Sequence, residues 1–295
     1  EINTLINQHK SKFDKFYSDL LEEKLDKSLL SKAMKYGSMN GGKRIRPFLV
    51  SQSSQMVNLS SRNEMIIASS IESIHAYSLI HDDLPSMDDD DFRRGKLSVH
   101  KKFNEALAIL AGDALHDLAY EFLSNKKTHP DSKIRIELIE KLSLILGNKG
   151  LAGGQSLDLI YENKNIEIKK IIAMYNMKTS VLFSFCCFAP FILAKKNQKE
   201  IKFAEEFGKI FGIIFQITDD IIDNSENFKK LGKTPGKDIK QGKSTFISQK
   251  DQKNVINFCK ITIKNFTKKN QFYINKWPIL NNILEYSLKR FKENF

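Results

Sequence analysis

Apolar residues recur at helical spacing along most of the chain. The runs 66–74 and 210–217 both place isoleucines three or four residues apart, so each puts an apolar stripe on one face of a helix. No sustained alternation of apolar and polar residues is present. The six prolines stand roughly 40 to 60 residues apart. We therefore predict an all-α chain of long helices with loops near the prolines, forming a single domain over residues 1–295.

An acidic segment follows the first apolar run. Six carboxylates fall within residues 82–91, directly after a predicted helix at 66–80 and just before Arg93 and Arg94. Carboxylates packed this closely repel one another unless a cation holds them together. The alternatives are therefore a flexible acidic loop and a metal site.

The expected geometry around Pro85 favours the metal site. On the predicted helix, His75, Ser78 and Asp82 lie on one face. Pro85 should end the helix, and the chain should then turn Asp88 back towards Asp82. Converging carboxylate oxygens suit Mg2+, which takes a few carboxylates together with waters and substrate phosphates.

A second acidic motif lies within a predicted apolar helix at 207–223. Its polar residues share one face at i, i+3 or i+4, and i+7: Gln216, Asp219 or Asp220, and Asp223. Because apolar residues cover most of this helix, the stripe is expected to be buried rather than solvated, and buried carboxylates need a partner or a metal. Gly208 and Gly212 continue the face and leave room for another group to lie alongside.

Cationic side chains form several separate clusters along the chain. They are Lys43, Arg44 and Arg46 after a Gly-Gly turn, Arg93 and Arg94, Lys178 at the head of an apolar run, and Lys233 and Lys243 after glycines. Two anionic metal sites combined with separate cation clusters indicate a substrate that bears two phosphate-rich groups.

Composition and charge change this picture little. The net charge is +12, but all except seven of the 47 basic residues are lysines scattered along the chain, which does not favour a nucleic-acid-binding face. Cys186, Cys187 and Cys259 lack metal-ligand spacing and are expected to be reduced thiols. The apolar run 180–194 contains Pro190 and is shorter than the ~20 residues of a membrane span. We expect a cytoplasmic protein without membrane insertion.

The motifs together resemble those of the trans-isoprenyl diphosphate synthases, most closely the bacterial-type farnesyl diphosphate synthases. The shared segments are GGKRIRP (41–47), IHAYSLIHDDLPSMDDDDFRRG (74–95), GDAL (112–115), GGQSLD (153–158), MKT (177–179), FQITDDIID (215–223), GKTPGKD (232–238) and GKST (242–245). The resemblance implies the isoprenoid synthase fold, a bundle of long helices around a deep central cavity. It also implies a homodimer that takes small-molecule prenyl diphosphates and Mg2+ and needs no organic cofactor.

The resemblance further implies a reaction and a set of residue roles. An allylic diphosphate loses diphosphate, isopentenyl diphosphate attacks the carbocation head-to-tail, and a proton is lost. Three Mg2+ ions are implied at Asp82, Asp88 and Asp219, supported by Asp83, Asp220 and Asp223. The allylic diphosphate matches Arg93, Lys178, Thr179, Gln216, Lys233 and Lys243, of which Lys178, Thr179 and Gln216 are the catalytic candidates. Isopentenyl diphosphate matches Lys43, Arg46, His75 and Arg94.

Product length is expected to depend on the residues just before the first aspartate. In the family, a bulky residue five positions before it forms the floor that stops chain growth, and here that residue is Tyr77. Helical geometry alone places Ser78 directly under Asp82, so the role of Tyr77 is inherited from the resemblance. The expected product is farnesyl diphosphate, with geranyl and geranylgeranyl diphosphate as alternatives.

Three other functions compete with this interpretation. A terpene cyclase would need a Ser or Thr and a Glu after the second acidic motif, where Asp223 and Asn227 stand instead. A helical metal phosphohydrolase built on His81 and Asp82 would need further histidines, and only two lie upstream. An inactive subunit that modulates a synthase would be expected to have lost a motif, whereas both aspartate motifs are present.

Overall fold

The computed structural model describes residues 2–225, 242–246 and 250–290. Within these residues the regular structure is helical apart from one short hairpin, which confirms the predicted all-α fold. The chain forms two compact units, one from Asn3–Ile139 and the other from the described residues after it. The single domain and the central cavity implied by the resemblance stay predictions.

The first unit is built from helices that begin at polar caps. Ser28, Ser60 and Asn104 each accept a hydrogen bond from the backbone N–H three residues on, which satisfies a donor that the first turn would otherwise leave unpaired. The elements are α1 (Ile2–Lys24), α2 (Leu29–Ser38), α3 (Ile45–Met56), α4 (Ser61–Asp82), β1 (Phe92–Arg93), β2 (Lys96–Leu97), α5 (Val99–Lys102) and α6 (Glu105–Ser124). Helix α7 (Ser132–Leu146) carries the chain into the second unit.

The second unit contains the longest helix and the one π-helical segment in the described residues. Its elements are α8 (Leu151–Ile160), α9 (Ile168–Tyr175), the π segment (Asn176–Ser180), α10 (Val181–Leu193), α11 (Gln198–Ser225), α12 (Gln252–Lys269), α13 (Gln271–Lys276) and α14 (Ile279–Lys289). Helices α4 and α11 therefore extend beyond the predicted helices 66–80 and 207–223 at both ends.

Small polar side chains hold α4 inside the first unit. The hydroxyl of Ser70 donates to the carbonyl of Ala119 on α6 at 2.9 Å, and the hydroxyls of Ser73 and Tyr17 are 2.8 Å apart. A serine occupies little volume, so α4 can pack closely against its neighbours, and each of these hydroxyls has a partner as burial requires.

Arg44 joins three parts of the first unit. Its guanidinium donates to Asp14 at 2.7 Å, to Glu72 at 2.6 Å and to the carbonyl of Ser38 at 2.8 Å. Only 4% of Arg44 is exposed. The Gly-Gly-Lys-Arg segment was a candidate anion site, but this arginine is used inside the protein, and its neighbours Lys43 and Arg46 remain at the surface or partly exposed.

Two glycines bring α10 and α11 together in the second unit. A Cβ atom at Gly212 would collide with Ser180, and one at Gly208 would collide with the backbone of Phe183 and Ser184. The room that the sequence indicates beside these glycines is thus filled by the chain itself, at the π segment and α10. The close approach packs Phe183 on α10 against Phe211 and Phe215 of α11, edge-on and tilted, with ring centroids 5.0 to 5.1 Å apart.

The expected loop at Pro190 does not form. Pro190 lies inside α10, and α9, the π segment and α10 follow one another without a break from Ile168 to Leu193. By length and composition alone this stretch could cross a membrane, but 67% of its most apolar part is buried inside the protein. It therefore has the character of a core helix, whose burial outweighs the local cost of an interior proline.

The Arg44 contacts generate the first prediction. Replacing Arg44 by Met should lower the free energy of unfolding by about 3–5 kcal/mol, because Glu72, which is 3% exposed, would keep a buried charge without its partner. The control is Arg62→Met, the same change at an exposed position, which should cost less than about 0.5 kcal/mol. Equal losses for the two variants in urea unfolding would refute the structural role of Arg44.

Candidate active site

The first acidic motif begins where α4 ends. Asp82 is the last helical residue, and the N–H of Asp88 donates to its carbonyl oxygen at 2.8 Å. A second bond, from the N–H of Asp90 to the carbonyl of Asp83 at 3.1 Å, closes the same turn. The predicted return of Asp88 to Asp82 after Pro85 is therefore present in the backbone. Both carboxylates are half-buried, and a pair of hard oxygen donors on a hydrogen-bonded turn fits Mg2+.

Asp83 is held by an arginine. Its two carboxylate oxygens accept from Arg93, Oδ2 from Nε at 3.2 Å and Oδ1 from Nη2. Burial raises the pKa of Asp83, and the guanidinium opposes that shift. Arg93 thus engages both oxygens of Asp83, and the supporting role of Asp83 at a metal stays a prediction.

The two arginines after the motif sit on a tight hairpin. Phe92 pairs with Leu97 and Arg93 with Lys96, which leaves Arg94 and Gly95 as the turn. Both turn residues have positive φ, 54° and 78°, as a two-residue hairpin turn of type I′ requires. Sequence patterns did not reveal this hairpin, because strands of two residues carry no alternation.

Three of the four residues matched to isopentenyl diphosphate come together in the first unit. Arg46 Nη1 lies 3.2 Å from His75 Nε2, and Arg94 Nη1 donates to Asn40 at 2.9 Å and to the carbonyl of Gly41 at 2.5 Å. The fourth residue, Lys43, lies on the loop between α2 and α3 and is exposed.

The charges in this group favour a bound anion. Burial and the arginines around it, Arg46 first, hold the pKa of His75 well below its ordinary value, so the imidazole is neutral. Burial lowers the pKa of Arg94 to about 10, with Glu72 opposing and nearby arginines adding to the shift. The repulsion among these positive charges would decrease if a diphosphate supplied the opposite charge.

One further group in the first unit could bind a metal ion. Asp89, Asp91 and His100 offer ligand atoms within 4.8 Å of one another. None of the three is a predicted ligand. Asp91 is paired with Lys101 at 3.0 Å, and both carboxylates are exposed.

In the second unit a chain of hydrogen bonds joins two of the catalytic candidates, Thr179 and Gln216. Thr179 Oγ1 donates to Gln216 Oε1 at 2.8 Å, and Gln216 Nε2 donates to Asp220 Oδ1 at 3.0 Å. The other oxygen of Asp220 accepts from the Tyr175 hydroxyl, which itself accepts from the N–H of Phe246 at 2.9 Å. Asp220, which is 3% exposed, therefore orients the amide rather than presenting a free oxygen.

Tyr175 is a residue that sequence reasoning missed. Burial and the neighbouring Asp220 raise its pKa well above the ordinary value, so its hydroxyl stays a donor to that carboxylate. The signal that could have found it is its position three residues before Lys178, about one helical turn away on the same side. By accepting from the Phe246 N–H, the Tyr175 hydroxyl also fixes the backbone three residues after Lys243.

Two predicted diphosphate ligands meet at one carboxylate. Lys178 and Lys243 donate to Asp158 Oδ2, at 2.7 and 3.1 Å. Burial alone would raise the pKa of Asp158, but the two ammonium groups lower it to about 2. The π segment carries Lys178 and Thr179 on successive residues, and such segments are frequent at functional sites. Asp158, in the segment GGQSLD, had no role assigned from the sequence.

The structure separates the two aspartates that the sequence left open in the second motif. The Asp219 side chain is 44% exposed and accepts from Arg290 Nη2 at 2.6 Å, whereas Asp220 faces inward. Asp223, one turn further along α11, is 2% exposed. Of all the predicted site residues, Lys233 alone lies outside the residues that the structure describes.

The predicted chain-length residues lie on α4 as expected. Tyr77 packs edge-on against His81 and His116, with ring centroids 5.4 and 5.3 Å away. The Ser78 hydroxyl donates to the carbonyl of His75 at 2.8 Å, within its own helix. Tyr77 is therefore braced by α6, and Ser78 presents little bulk.

Residues 27–271 match the family of polyprenyl synthetases. The chain belongs to this family. The farnesyl diphosphate synthase of Micrococcus luteus is 38% identical over 247 residues, 82% of this chain and 84% of that protein. A chloroplastic geranylgeranyl pyrophosphate synthase of Arabidopsis thaliana is 39% identical over 223 residues, 74% of this chain and 62% of that protein. Among solved structures, a geranyltransferase of Helicobacter pylori complexed with magnesium and isoprenyl diphosphate has a TM-score of 0.84 at 29% identity, covering 99% of this chain and 98% of that one.

For this polyprenyl synthetase, the contacts of Asp158 generate the second prediction. The pKa of Asp158 is lower in the folded protein than its ordinary 3.8. Its contribution to the free energy of unfolding is therefore complete at neutral pH and is lost as the pH falls towards 2. The size of the shift gives about 2 kcal/mol at pH 7, of which about half remains at pH 3. Urea unfolding of Asp158→Asn should show that loss at pH 7 and a smaller one at pH 3.

The control for this prediction is Asp117→Asn. The Asp117 side chain is 86% exposed, so the same change there should alter the free energy of unfolding by less than about 0.5 kcal/mol at either pH. An Asp158→Asn loss that does not change with pH would show that the lysine pairs are not its cause.

Proposed function

We propose that this chain is a Mg2+-dependent prenyltransferase that joins isopentenyl diphosphate head-to-tail to dimethylallyl or geranyl diphosphate, with farnesyl diphosphate and inorganic diphosphate as products. The observation that carries the proposal is in the first unit. Asp82 and Asp88, two half-buried aspartates joined by a backbone hydrogen bond, stand in the same unit as Arg94 and the arginines near it. Carboxylates for a metal and cations for a phosphate are the two needs of a substrate pair that bears diphosphates.

The residues proposed to hold Mg2+ are Asp82, Asp88 and Asp219. When bound, the metal would neutralise the allylic diphosphate and so favour cleavage of its C–O bond. Three ions and supporting roles for Asp83, Asp220 and Asp223 are part of the proposal. The H. pylori geranyltransferase, complexed with magnesium and isoprenyl diphosphate, supports this choice of metal.

The cationic side chains of this chain would stabilise the leaving group. The carbon–oxygen bond breaks with both electrons going to the diphosphate, and Arg93, Lys178 and Lys243, with Lys233, would bind its oxygens. Asp158 accepts hydrogen bonds from both the Lys178 and the Lys243 ammonium groups and holds them close together. Two fixed cations placed where negative charge develops lower the barrier more than mobile ones would.

The remaining steps rest on orientation. Arg46, Arg94 and Lys43 would hold isopentenyl diphosphate, with the neutral His75 fixed by Arg46. The double bond of isopentenyl diphosphate then attacks the allylic carbon to form the new carbon–carbon bond. The proton lost from the adjacent carbon passes to the departed diphosphate. Thr179 and the Gln216 carbonyl oxygen would direct their dipoles at the positive charge. The Thr179–Gln216–Asp220 bonds limit the orientations of that amide.

A longer product is the second candidate. The Arabidopsis geranylgeranyl pyrophosphate synthase is 39% identical to this chain over its matched residues, and the farnesyl diphosphate synthase of M. luteus is 38% identical. Identity at this level therefore does not separate C15 from C20, and the choice of C15 depends on Tyr77. A homodimer and a cytoplasmic location are further parts of the proposal.

The activity is tested directly with purified protein, Mg2+, dimethylallyl diphosphate and isopentenyl diphosphate. We expect farnesol as the main alcohol after dephosphorylation, and Asp82→Asn should lower kcat/KM by about 100-fold or more, because it removes charge from a proposed metal ligand. Asp117→Asn is the matched exposed control and should keep wild-type activity. Phosphate release without a prenyl product, a cyclic hydrocarbon, or no turnover by folded protein would each overturn the proposal.

The chain-length role of Tyr77 gives a separate prediction. Tyr77→Ala removes the ring that packs against His81 and His116, so the product should lengthen to C20 or beyond. Tyr36→Ala removes the same volume beside Phe103 and should leave the product at C15. An unchanged C15 product from Tyr77→Ala, resolved by chain length, would exclude Tyr77 as the floor.

A further inference from the structure

The chain returns to the second acidic motif after α14. Arg290 follows that helix, and its Nη2 donates to Asp219 Oδ1 at 2.6 Å. Nη1 donates to the Phe215 carbonyl and to Thr218 Oγ1, both at 3.1 Å. The guanidinium carbon also lies 3.5 Å from the centroid of the Phe215 ring.

These contacts leave Arg290 little freedom. Three acceptors and one aromatic ring, all on adjacent turns of α11, define a single plane for the guanidinium, which is a geometry that lysine cannot reproduce. Arg290 is 9% exposed. Its charge is therefore a fixed feature of this end of α11.

Asp219 remains partly open in spite of this pairing. Its side chain is 44% exposed, and in the described part of the chain Arg290 is the one side chain bonded to it. The bond engages Oδ1, so Oδ2 is the oxygen available to a metal.

We propose that Arg290 is a positioning residue that makes Mg2+ binding at Asp219 depend on diphosphate. It fixes the carboxylate so that one oxygen faces the metal, and its positive charge opposes a divalent cation at the same carboxylate. A diphosphate bound to the metal brings negative charge that cancels this repulsion. By thermodynamic linkage, Mg2+ then strengthens diphosphate binding by the same factor. The inference rests on the proposed function, because it takes Asp219 as a metal ligand.

A purely structural role for Arg290 is the competing explanation. In that case Arg290 would only anchor the end of α14 to α11, and its loss would lower stability without changing how Mg2+ and diphosphate influence each other. The two roles separate in a binding experiment, because the coupling between two ligands does not depend on the stability of a protein that stays folded.

The experiment is calorimetric titration of the full chain with Mg2+, with and without inorganic diphosphate. Arg290→Gln should bind Mg2+ about threefold to tenfold more tightly without diphosphate, and the factor by which diphosphate tightens Mg2+ binding should fall by a similar amount. Lys289→Gln removes the same charge from the neighbouring residue, whose side chain is 59% exposed and paired with Glu285, and should change neither quantity by more than about twofold. Arg290→Lys keeps the charge but not the planar contacts, so it should retain only part of the coupling.

A double-mutant cycle assigns the effect to Asp219. In an Asp219→Asn background, adding Arg290→Gln should change the coupling factor no further, because the carboxylate on which the two charges meet is gone. If Arg290→Gln does not fold, Thr218→Val removes one of the three acceptors and should weaken the coupling about twofold. A wild-type coupling factor in folded Arg290→Gln, or in Thr218→Val when only that variant folds, overturns the inference.

The wild-type chain separates this inference from the proposed function. A prenyl product from the wild type together with unchanged coupling in Arg290→Gln refutes the role of Arg290 alone. Absence of both prenyl transfer and Mg2+–diphosphate coupling in the wild type refutes the proposed function, and this inference with it.

Discussion

The cost of burying charge governs the architecture of this protein. A carboxylate or guanidinium removed from water is tolerated only when an opposite charge and further hydrogen bonds accompany it. Arg44 forms an ion pair with Glu72, Asp83 with Arg93, and Asp158 with two lysines. In each case the partners come from different helices or loops, so the same pairs that satisfy the charges also hold the elements in place.

This constraint divides the acidic residues into two groups. Asp83, Asp220 and Asp223 are 2–3% exposed, and the first two are held by Arg93 and by Gln216 with Tyr175. Asp82, Asp88 and Asp219 are half-buried. A metal that arrives with its substrate has to reach carboxylate oxygens from solvent. Burial therefore separates the three proposed ligands from Asp83, Asp220 and Asp223.

Sequence patterns predict the helices and the local turns but not the ion pairs between residues far apart in the sequence. The helical period predicted α4 and α11, and Pro85 predicted the turn that returns Asp88 to Asp82, because those features depend on neighbours within a few residues. Asp158 pairs with Lys243 across 85 positions, and Asp219 with Arg290 across 71. No local pattern encodes such contacts, since they arise from how whole helices pack. The loop expected at Pro190 is absent for the same reason, because burial of α10 outweighs the local tendency of proline to end a helix.

The lysine pair on Asp158 shows how such packing would prepare the proposed diphosphate site. Two ammonium groups brought together would repel each other, and a buried lysine without a counter-charge tends to lose its proton. Asp158 opposes both effects, because one carboxylate accepts from the two groups at 2.7 and 3.1 Å. The trio retains a net positive charge of one, which a diphosphate can meet without first assembling the lysines. The free energy of ordering those side chains is thus supplied by folding, and less of it is left for substrate binding to provide.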